Sequence, residues 1–478
     1  MQFRIERWSD PIVYGLAATY GLVVWWPTRS LPYYWDSATF VVRAAHDLLA
    51  THFRPLLASH SDFAHPPLFV ALLALAWAAF GDARIVSHLL VLPALPLAMI
   101  ATYHLGKRVA DRVVGVAGAL LFGGVAFVVA EAGQVYMDLP VGAALTGALA
   151  AWTSGRRVVA SVLLCAAAAS KLPYPLVVPS TLAVMLAFDP LRRRDARWWL
   201  ALAAPFVLVG VWLAYHFVAT GWLLARPERV VHPSTDPWVF ALSLRTACDV
   251  FLLGQWRWLL LVAGAAGALG TWFVRRRPVP WRPILPLFVL VGAGLLFFAA
   301  VGELALRYGI FLLPPYVLAS IALARAALPG KPWLLVGAAG LFALFVTEWH
   351  PHVPLTTTYV YRPDENLGYL DMIAIGEKTA RWLERTHPDA EIFGAGPEAY
   401  ELTEPYQGYV TRPLKFAECS SFQRHAGVEQ LVIIHPYHPG QPLCRRLTEA
   451  SGARAIKHFE TNGKWREVYL VPSSGDGA

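Results

Sequence analysis

The sequence predicts an all-α polytopic membrane protein that carries a small α/β domain at its C-terminal end. Three observations predict this fold class. Of the 478 residues, 56% are hydrophobic and only 15% are charged, against about a quarter in ordinary soluble domains. Short clusters of Arg and Lys separate long apolar runs, and the composition changes abruptly after His350. We therefore divide the chain into a transmembrane domain, residues 1–349, and a soluble domain, residues 350–478.

About eleven apolar runs approach the ~20 residues that a helix needs to cross a bilayer. The predicted spans are 11–26, 84–105, 113–131, 139–153, 158–171, 174–189, 198–219, 251–273, 283–301, 309–325 and 332–348. The basic clusters between them all fall on the cytoplasmic side if the N-terminus is cytoplasmic, as the positive-inside bias requires. An odd number of spans then places the C-terminal domain outside the plasma or inner membrane.

The first outer loop, residues 27–83, is predicted to contain two helices that do not cross. The run 66–80 is apolar but short for a span, and a crossing there would invert the orientation of every later basic cluster. We expect it to lie in the outer leaflet as an interfacial helix. The helix-sized segment 37–50 is a second element of the same kind.

The C-terminal region alternates helix and strand signals. Residues 368–386 place apolar side chains at helical spacing, whereas 391–396, 431–435 and 467–471 are short apolar runs typical of buried strands. Outside the membrane, Cys419 and Cys444 can form a disulfide, although the sequence equally allows two unpaired thiols.

Composition and motifs exclude several functions. The net charge of +8 comes from basic clusters between apolar runs, a pattern of membrane topology rather than of nucleic-acid binding. The sequence contains no Gly-rich phosphate loop and no Cys/His zinc spacing, which argues against nucleotide binding and structural metal. Membrane lipids are the expected surroundings of the domain.

Ionisable side chains at the edge of a membrane bundle are costly and mark candidate functional sites. Asp36 follows the first span and Asp138 precedes the fourth. Each also has a structural interpretation, because Asp is a good helix N-cap: Asp36 for the segment 37–50 and Asp138 for the fourth span. The sequence does not decide between the two interpretations.

Two further candidates are basic. His65, with His60 and Asp62, precedes the helix at 66–80, although His in a wet loop is more often solvated than functional. Lys171 lies next to two prolines in an outer loop, against the positive-inside bias. Its structural interpretation is an ammonium that reaches water from the membrane edge.

Arg307 begins a span on the outer side, where its planar fork suits a phosphate group. Its structural interpretation is a helical ion pair with Glu303. Carboxylates on two outer loops with cations nearby suit a reaction in which a nucleophile is deprotonated while an anion departs.

This ordered set resembles the polyprenyl-phosphate-dependent GT-C glycosyltransferases, in particular the branch of the protein O-mannosyltransferases and the lipid A aminoarabinose transferases. The resemblance covers most of residues 1–326 and, more loosely, the C-terminal domain. The matching elements are Asp36, His65-Pro66-Pro67-Leu68, Asp138, Lys171, Arg307-Tyr308 and Pro314-Pro315.

The resemblance implies an inverting transfer of a sugar from a polyprenyl-phosphate donor to a lipid, glycan or protein acceptor on the outer face. Asp36 is then the base, and Asp138 is the second catalytic carboxylate. The donor phosphate is bound by cations and a tyrosine, namely Lys171, Arg307, His65 and Tyr308. No cofactor is certain, and a divalent Mg²⁺ or Mn²⁺ ion shared by Asp36 and Asp138 is left open.

Two departures leave the sugar and the acceptor open. Mannosyltransferases often carry an adjacent acidic pair where this chain has Asp36 alone, and the aminoarabinose transferases have Lys where this chain has His65. The alternatives to an enzyme are a transporter or flippase of a lipid-linked sugar and an assembly subunit. Transporters usually show paired repeats with helices broken at the midplane, whereas the charges here lie toward one face.

Overall fold

The computed structural model describes residues 2–53, 65–223, 236–254, 257–274, 276, 280–302, 305–328, 332–346, 367–425, 427–436 and 441–472. The bundle helices are α1 Gln2–Trp25, α2 Val42–Ala50, α3 Leu68–Phe80, α4 Arg84–Val91, α5 Ala94–Val109, α6 Arg112–Gly123, α7 Ala126–Ala132, α8 Asp138–Thr153, α9 Arg157–Ala168, α10 Val177–Ala187, α11 Ala196–Thr220, α12 Pro237–Cys248, α13 Trp258–Leu269, α14 Trp281–Val301, α15 Leu313–Ala327 and α16 Pro332–Val346. The C-terminal domain contains α17 Tyr369–Thr386, β1 Glu391–Gly394, α18 Glu398–Thr403, β2 Lys415–Glu418, β3 Gln430–Ile434, α19 Gln441–Ser451, β4 Arg454–Thr461 and β5 Lys464–Val471.

A helix, or two helices joined end to end, lies at each of the eleven predicted spans. In the described part of the chain, four helices are long and apolar enough to cross a membrane: Arg84–Val109, Ala196–Thr220, Trp281–Val301 and Leu306–Ala327. Two further pairs of helices, each bent at a short break, raise the number of such spans to six if each pair is counted as one span. The helical, membrane-protein character is therefore confirmed, whereas eleven crossings and the orientation remain predictions.

The predicted span 113–131 consists of two helices, α6 and α7, which meet at 70°. The break falls at two glycines, where neighbours approach closely. A Cβ atom on Gly123 would lie 2.9 Å from the side chain of Met99, and one on Gly124 would lie 2.5 Å from Ala343. Glycine pairs are a common cause of such kinks. α8 begins at Asp138, shortly after α7 ends at Ala132.

The two helices predicted in the first loop are present. The segment 37–50 begins as a π-helix over Ser37–Val41 and continues as α2, and α3 occupies most of 66–80. The two helices pack together through buried apolar side chains that include Val42, Leu48 and Leu73. Their position at a membrane surface stays a prediction.

The C-terminal domain is a five-stranded mixed sheet in the order β2-β1-β3-β5-β4. β1 is parallel to β2 and β3, while β5 is antiparallel to β3 and β4. The predicted helix is α17, and the three predicted strands are β1, β3 and β5. β2 and β4 were not predicted, because both are edge strands with largely exposed, charged sequences. The predicted domain boundary lies outside the described residues.

Two features stabilise this domain from within. A disulfide joins Cys419 to Cys444, with 5.3 Å between their Cα atoms, and so settles the pairing that the sequence left open. Four ionisable side chains are buried beside the sheet: Arg466 lies 2.9 Å from Glu401, and His435 contacts Glu398. Burial raises the pKa of Glu398, but the neighbouring His435 and Arg466 charges outweigh it and lower that pKa to about 2.

The domain is docked directly on the first loop. The Tyr409 hydroxyl donates to the carbonyl of Tyr33 at 3.0 Å, and the Gln407 amide donates to the carbonyl of Ala38 at the same distance. Arg43 of α2 pairs with Glu404 at 3.0 Å. These bonds hold the chain on both sides of Asp36, so the domain fixes the position of that carboxylate.

Candidate functional site

The structure gathers the predicted site residues around one cavity of about 120 Å³. The residues come from the first loop, from the start of α8, from the turn after α9 and from the 3₁₀ segment that precedes α15. The cavity is lined by Asp36, Phe40, Val41, His65, Tyr136, Met137, Asp138, Lys171 and Tyr308. Arg307 is buried beside it and contacts two of the lining carboxylates.

Asp36 does not act as the helix cap that one interpretation of the sequence expects. Its backbone is already helical, and its side chain makes no capping hydrogen bond. The carboxylate instead contacts the guanidinium of Arg307, and 27% of the side chain stays exposed. Trp35, just before it, has a φ of 51°, a costly conformation for a large side chain. Such local strain is typical of functional sites.

Asp138 is buried and ion-paired. Its Oδ1 atom accepts hydrogen bonds from the Lys171 ammonium at 2.7 Å and from the Tyr174 hydroxyl at 2.8 Å. Its Oδ2 atom lies 3.7 Å from Nε of Arg307. Asp138 is itself the first residue of α8, so the predicted capping role is replaced by these contacts to two cations.

The two cations are buried rather than turned toward water. The Lys171 side chain is 8% exposed, and its ammonium lies 4.2 Å from the centre of the Tyr308 ring. Arg307 is 1% exposed and lies 5.1 Å from the Tyr136 ring. Aromatic faces partly replace the water that buried cations lose. Glu303, the predicted helical partner of Arg307, lies outside the described residues.

His65 lines the cavity and is held by the chain that follows α9. The backbone N–H of Leu172 donates to Nδ1 of His65 at 3.4 Å, so the ring is tied to the residue next to Lys171. His60 and Asp62 lie outside the described residues. Of the three acidic and basic side chains in this part of the first loop, the structure therefore places His65 at the site.

Two tyrosines at the site were not among the predicted residues. Tyr136 lies against Arg307, and Tyr174 donates to Asp138 and stacks on Tyr308 with 5.9 Å between the rings. In the sequence, Tyr136 is two residues from Asp138, and Tyr174 is three residues from Lys171. That proximity is the signal that could have identified them, because buried charges often rest on aromatic rings.

The arrangement does not fit a divalent metal ion. Arg307 contacts both Asp36 and Asp138, and Lys171 contacts Asp138. A guanidinium and an ammonium thus already pair with these carboxylates, and their charges would repel Mg²⁺ or Mn²⁺. Among the described side chains, no group of three His, Cys, Asp or Glu residues is placed to hold a metal ion.

No protein-family model matches this sequence, and no curated protein matches it. Solved structures, however, are similar over nearly the whole chain. ArnT from Cupriavidus metallidurans, bound to undecaprenyl phosphate, aligns with a TM-score of 0.59 at 12% identity, over 96% of this chain and 98% of ArnT.

Two other enzymes align at lower scores. The mycobacterial arabinofuranosyltransferase AftD gives a TM-score of 0.50 at 13% identity, over 98% of this chain and 40% of AftD. The oligosaccharyltransferase of Archaeoglobus fulgidus, tethered with an acceptor peptide, gives 0.50 at 11% identity, over 98% and 74% of the two chains. All three are GT-C glycosyltransferases. Together with the helical bundle and its C-terminal sheet, these alignments show that the chain has the GT-C fold.

Proposed function

We propose that the protein transfers a sugar from a polyprenyl-phosphate donor to an acceptor, with inversion at the anomeric carbon. One observation carries the proposal: two carboxylates and two cations from distant parts of the chain meet at one cavity in a GT-C fold. That ArnT of the same fold was crystallised with undecaprenyl phosphate supports a prenyl-phosphate donor.

Asp138 positions the two cations. Its two oxygens face Lys171 and Arg307 respectively, so one buried carboxylate fixes both an ammonium and a guanidinium. Pre-positioned charges stabilise a transition state without having to reorganise during the reaction. In this proposal Asp138 acts through Lys171 and Arg307, and these two groups, with His65 and Tyr308, contact the donor phosphate.

In this proposal Asp36 is the base. Before the donor binds, its carboxylate contacts the guanidinium of Arg307. The donor phosphate displaces Asp36 from the guanidinium, which stays held by Asp138. The freed Asp36 carboxylate is then available to an acceptor hydroxyl, since part of it is open to solvent. Donor binding thus prepares the base.

The proposed chemical step is a single displacement at the anomeric carbon. The acceptor oxygen forms a bond to the anomeric carbon, while the bond from that carbon to the phosphate oxygen breaks and leaves its electron pair on the phosphate. The acceptor proton passes to Asp36. Negative charge therefore moves from Asp36 to the phosphate, where Lys171 and Arg307 stabilise it. A phosphate leaves as a stable anion, so no general acid is required.

The acceptor is proposed to be a lipid, glycan or protein on the outer side of the plasma or inner membrane. This placement rests on the distribution of basic clusters. The donor is proposed to be lipid-linked rather than a nucleotide sugar, because its phosphate can reach the buried cations while its prenyl chain lies along apolar helices.

A reconstituted assay tests the donor class. The purified full chain in proteoliposomes is supplied with prenyl-phosphate sugars or with nucleotide sugars, with and without EDTA, and Asp36→Asn serves as the inactive control. We expect transfer or donor hydrolysis from the prenyl-phosphate sugar only, unchanged by EDTA. Transfer from nucleotide sugars alone would contradict the proposal. Movement of labelled donor across the bilayer without any transfer would instead favour the transporter.

A further inference from the structure

A second and larger cavity, of about 610 Å³, opens between α5, α8 and α9. Its α8 wall is made mostly of small residues, among them Ala143, Ala144 and Gly147, and its α5 wall includes Leu97 and Ile100. Leu97 is 56% exposed. We call this cavity the α5/α8 groove. It shares no lining residue with the site cavity.

One end of the groove is basic. Lys107, Arg108 and Arg156 line it, and no acidic residue belongs to its lining. Lys107 is engaged with Asp10 at 2.9 Å. Arg108 and Arg156 are exposed, and neither forms an ion pair with another side chain in the described parts of the chain. All three cations lie within electrostatic reach of the His104 ring, which also lines the groove.

The basic end is far from the catalytic residues. α8 begins at Asp138 in the site and runs for 16 residues to Thr153, a length of about 24 Å at 1.5 Å per residue. Arg156 follows three residues after the last residue of this helix. The groove therefore presents its cations near the membrane surface opposite to the one that holds the site.

We infer that the α5/α8 groove binds an anionic phospholipid of the leaflet opposite to the catalytic site. Its phosphate lies between Arg108 and Arg156, because guanidinium forks bind phosphate oxygens in pairs. An acyl chain lies against the small residues of α8, which leave the space that a larger side chain would fill. The charge of the groove end selects an anionic headgroup over a neutral one. This binding site is independent of the proposed glycosyl transfer.

Native mass spectrometry of the purified full chain tests the inference, with phosphatidylglycerol and phosphatidylcholine as the probes. We expect one phosphatidylglycerol to bind at least tenfold more tightly than phosphatidylcholine. The double variant Arg108→Gln/Arg156→Gln should lose this preference by tenfold or more, because two charge-assisted contacts are removed. Ala144→Trp, which fills the groove, should reduce binding of both lipids.

Arg193→Gln/Arg194→Gln is the matched control, since both arginines are exposed and neither lines the groove. It should keep the wild-type preference, and Asp36→Asn should keep it too. Equal binding of the two lipids by the wild type, or an unchanged preference in the Arg108/Arg156 variant, would overturn the inference. So would undecaprenyl phosphate that displaces phosphatidylglycerol from the wild type, because the groove would then be a prenyl-phosphate site. Elution volume and circular dichroism verify that each variant is folded.

Discussion

Arg307 is the residue that connects the two halves of the site. It contacts Asp36 of the first loop and lies 3.7 Å from Asp138 of α8, with 1% of its side chain exposed. Removing one member of such a buried set leaves the remaining charges uncompensated. The loss of folding free energy is then typically larger than the net stabilisation that the intact pair contributes. Substitutions here must therefore separate an effect on chemistry from an effect on folding.

Asp36→Asn should lower turnover by about 100-fold or more, the usual contribution of a general base. Its affinity for the donor should be unchanged or higher, because a neutral amide competes less well than a carboxylate for Arg307. Turnover and donor binding, measured on the same reconstituted variant, verify both parts. Asp82→Asn, an exposed carboxylate of the same loop, is the control and should remain active. A variant that kept a tenth of wild-type turnover would show that Asp36 is not the base.

Lys171→Met should abolish transfer and destabilise the bundle by about 3 kcal/mol, since the Asp138 carboxylate loses its closest cation. Adding Asp138→Asn should recover part of the lost stability, because the unpaired buried charge is removed. It should not recover activity, because the phosphate still lacks its ammonium. Thermal unfolding and turnover of the single and double variants test this pair. A double variant with restored turnover would assign Lys171 a purely structural role.

Two structural elements position the candidate site residues. The segment between α7 and α8 is hydrogen-bonded to the first loop, and the C-terminal domain contacts that loop through Gln407 and Tyr409. The domain also shares a core with the bundle, in which Tyr34 and Ala130 pack with Tyr369. The domain is thus part of the support of the site.

The disulfide should contribute about 3 kcal/mol to the stability of this domain, as expected for a loop of 25 residues. Cys419→Ser/Cys444→Ser should lower the melting temperature of the purified protein, and added reductant should lower the melting temperature of the wild type but not that of this variant. Cys165→Ser/Cys248→Ser, which removes the two free thiols, is the control and should melt like the wild type with and without reductant. If reductant left the wild-type melting temperature unchanged, the bond would be absent in solution.

For the whole molecule, the distribution of Arg and Lys predicts a cytoplasmic N-terminus and an extracytoplasmic C-terminal domain. A disulfide in that domain agrees with an oxidising compartment. In a background without Cys165 and Cys248, Arg454→Cys should react with a membrane-impermeant maleimide in intact cells, whereas Arg193→Cys should react only after lysis. Both arginines are exposed. The reverse pattern would place Asp36 on the cytoplasmic side and contradict the proposed orientation.

The amino-acid sequence alone predicts the helical membrane domain, the C-terminal α/β unit and six candidate site residues, which the structure brings together at one cavity. Apolar runs and basic clusters are local signals, and the apolar composition of a buried strand such as β3 predicts that strand from neighbouring residues alone. The candidate charges stood out because an ionisable residue at a membrane edge is costly to keep. Each of these inferences needs only residues that are neighbours in the chain.

The partners of those residues depend on the tertiary structure. Asp36 and Arg307 are 271 positions apart, so no local pattern distinguishes a helix cap from an ion pair. The kink at Gly123 and Gly124, the tyrosine partners of the cations and the edge strands β2 and β4 likewise depend on neighbours from distant segments. Long-range packing sets the partner of every buried charge, and the partner determines its role.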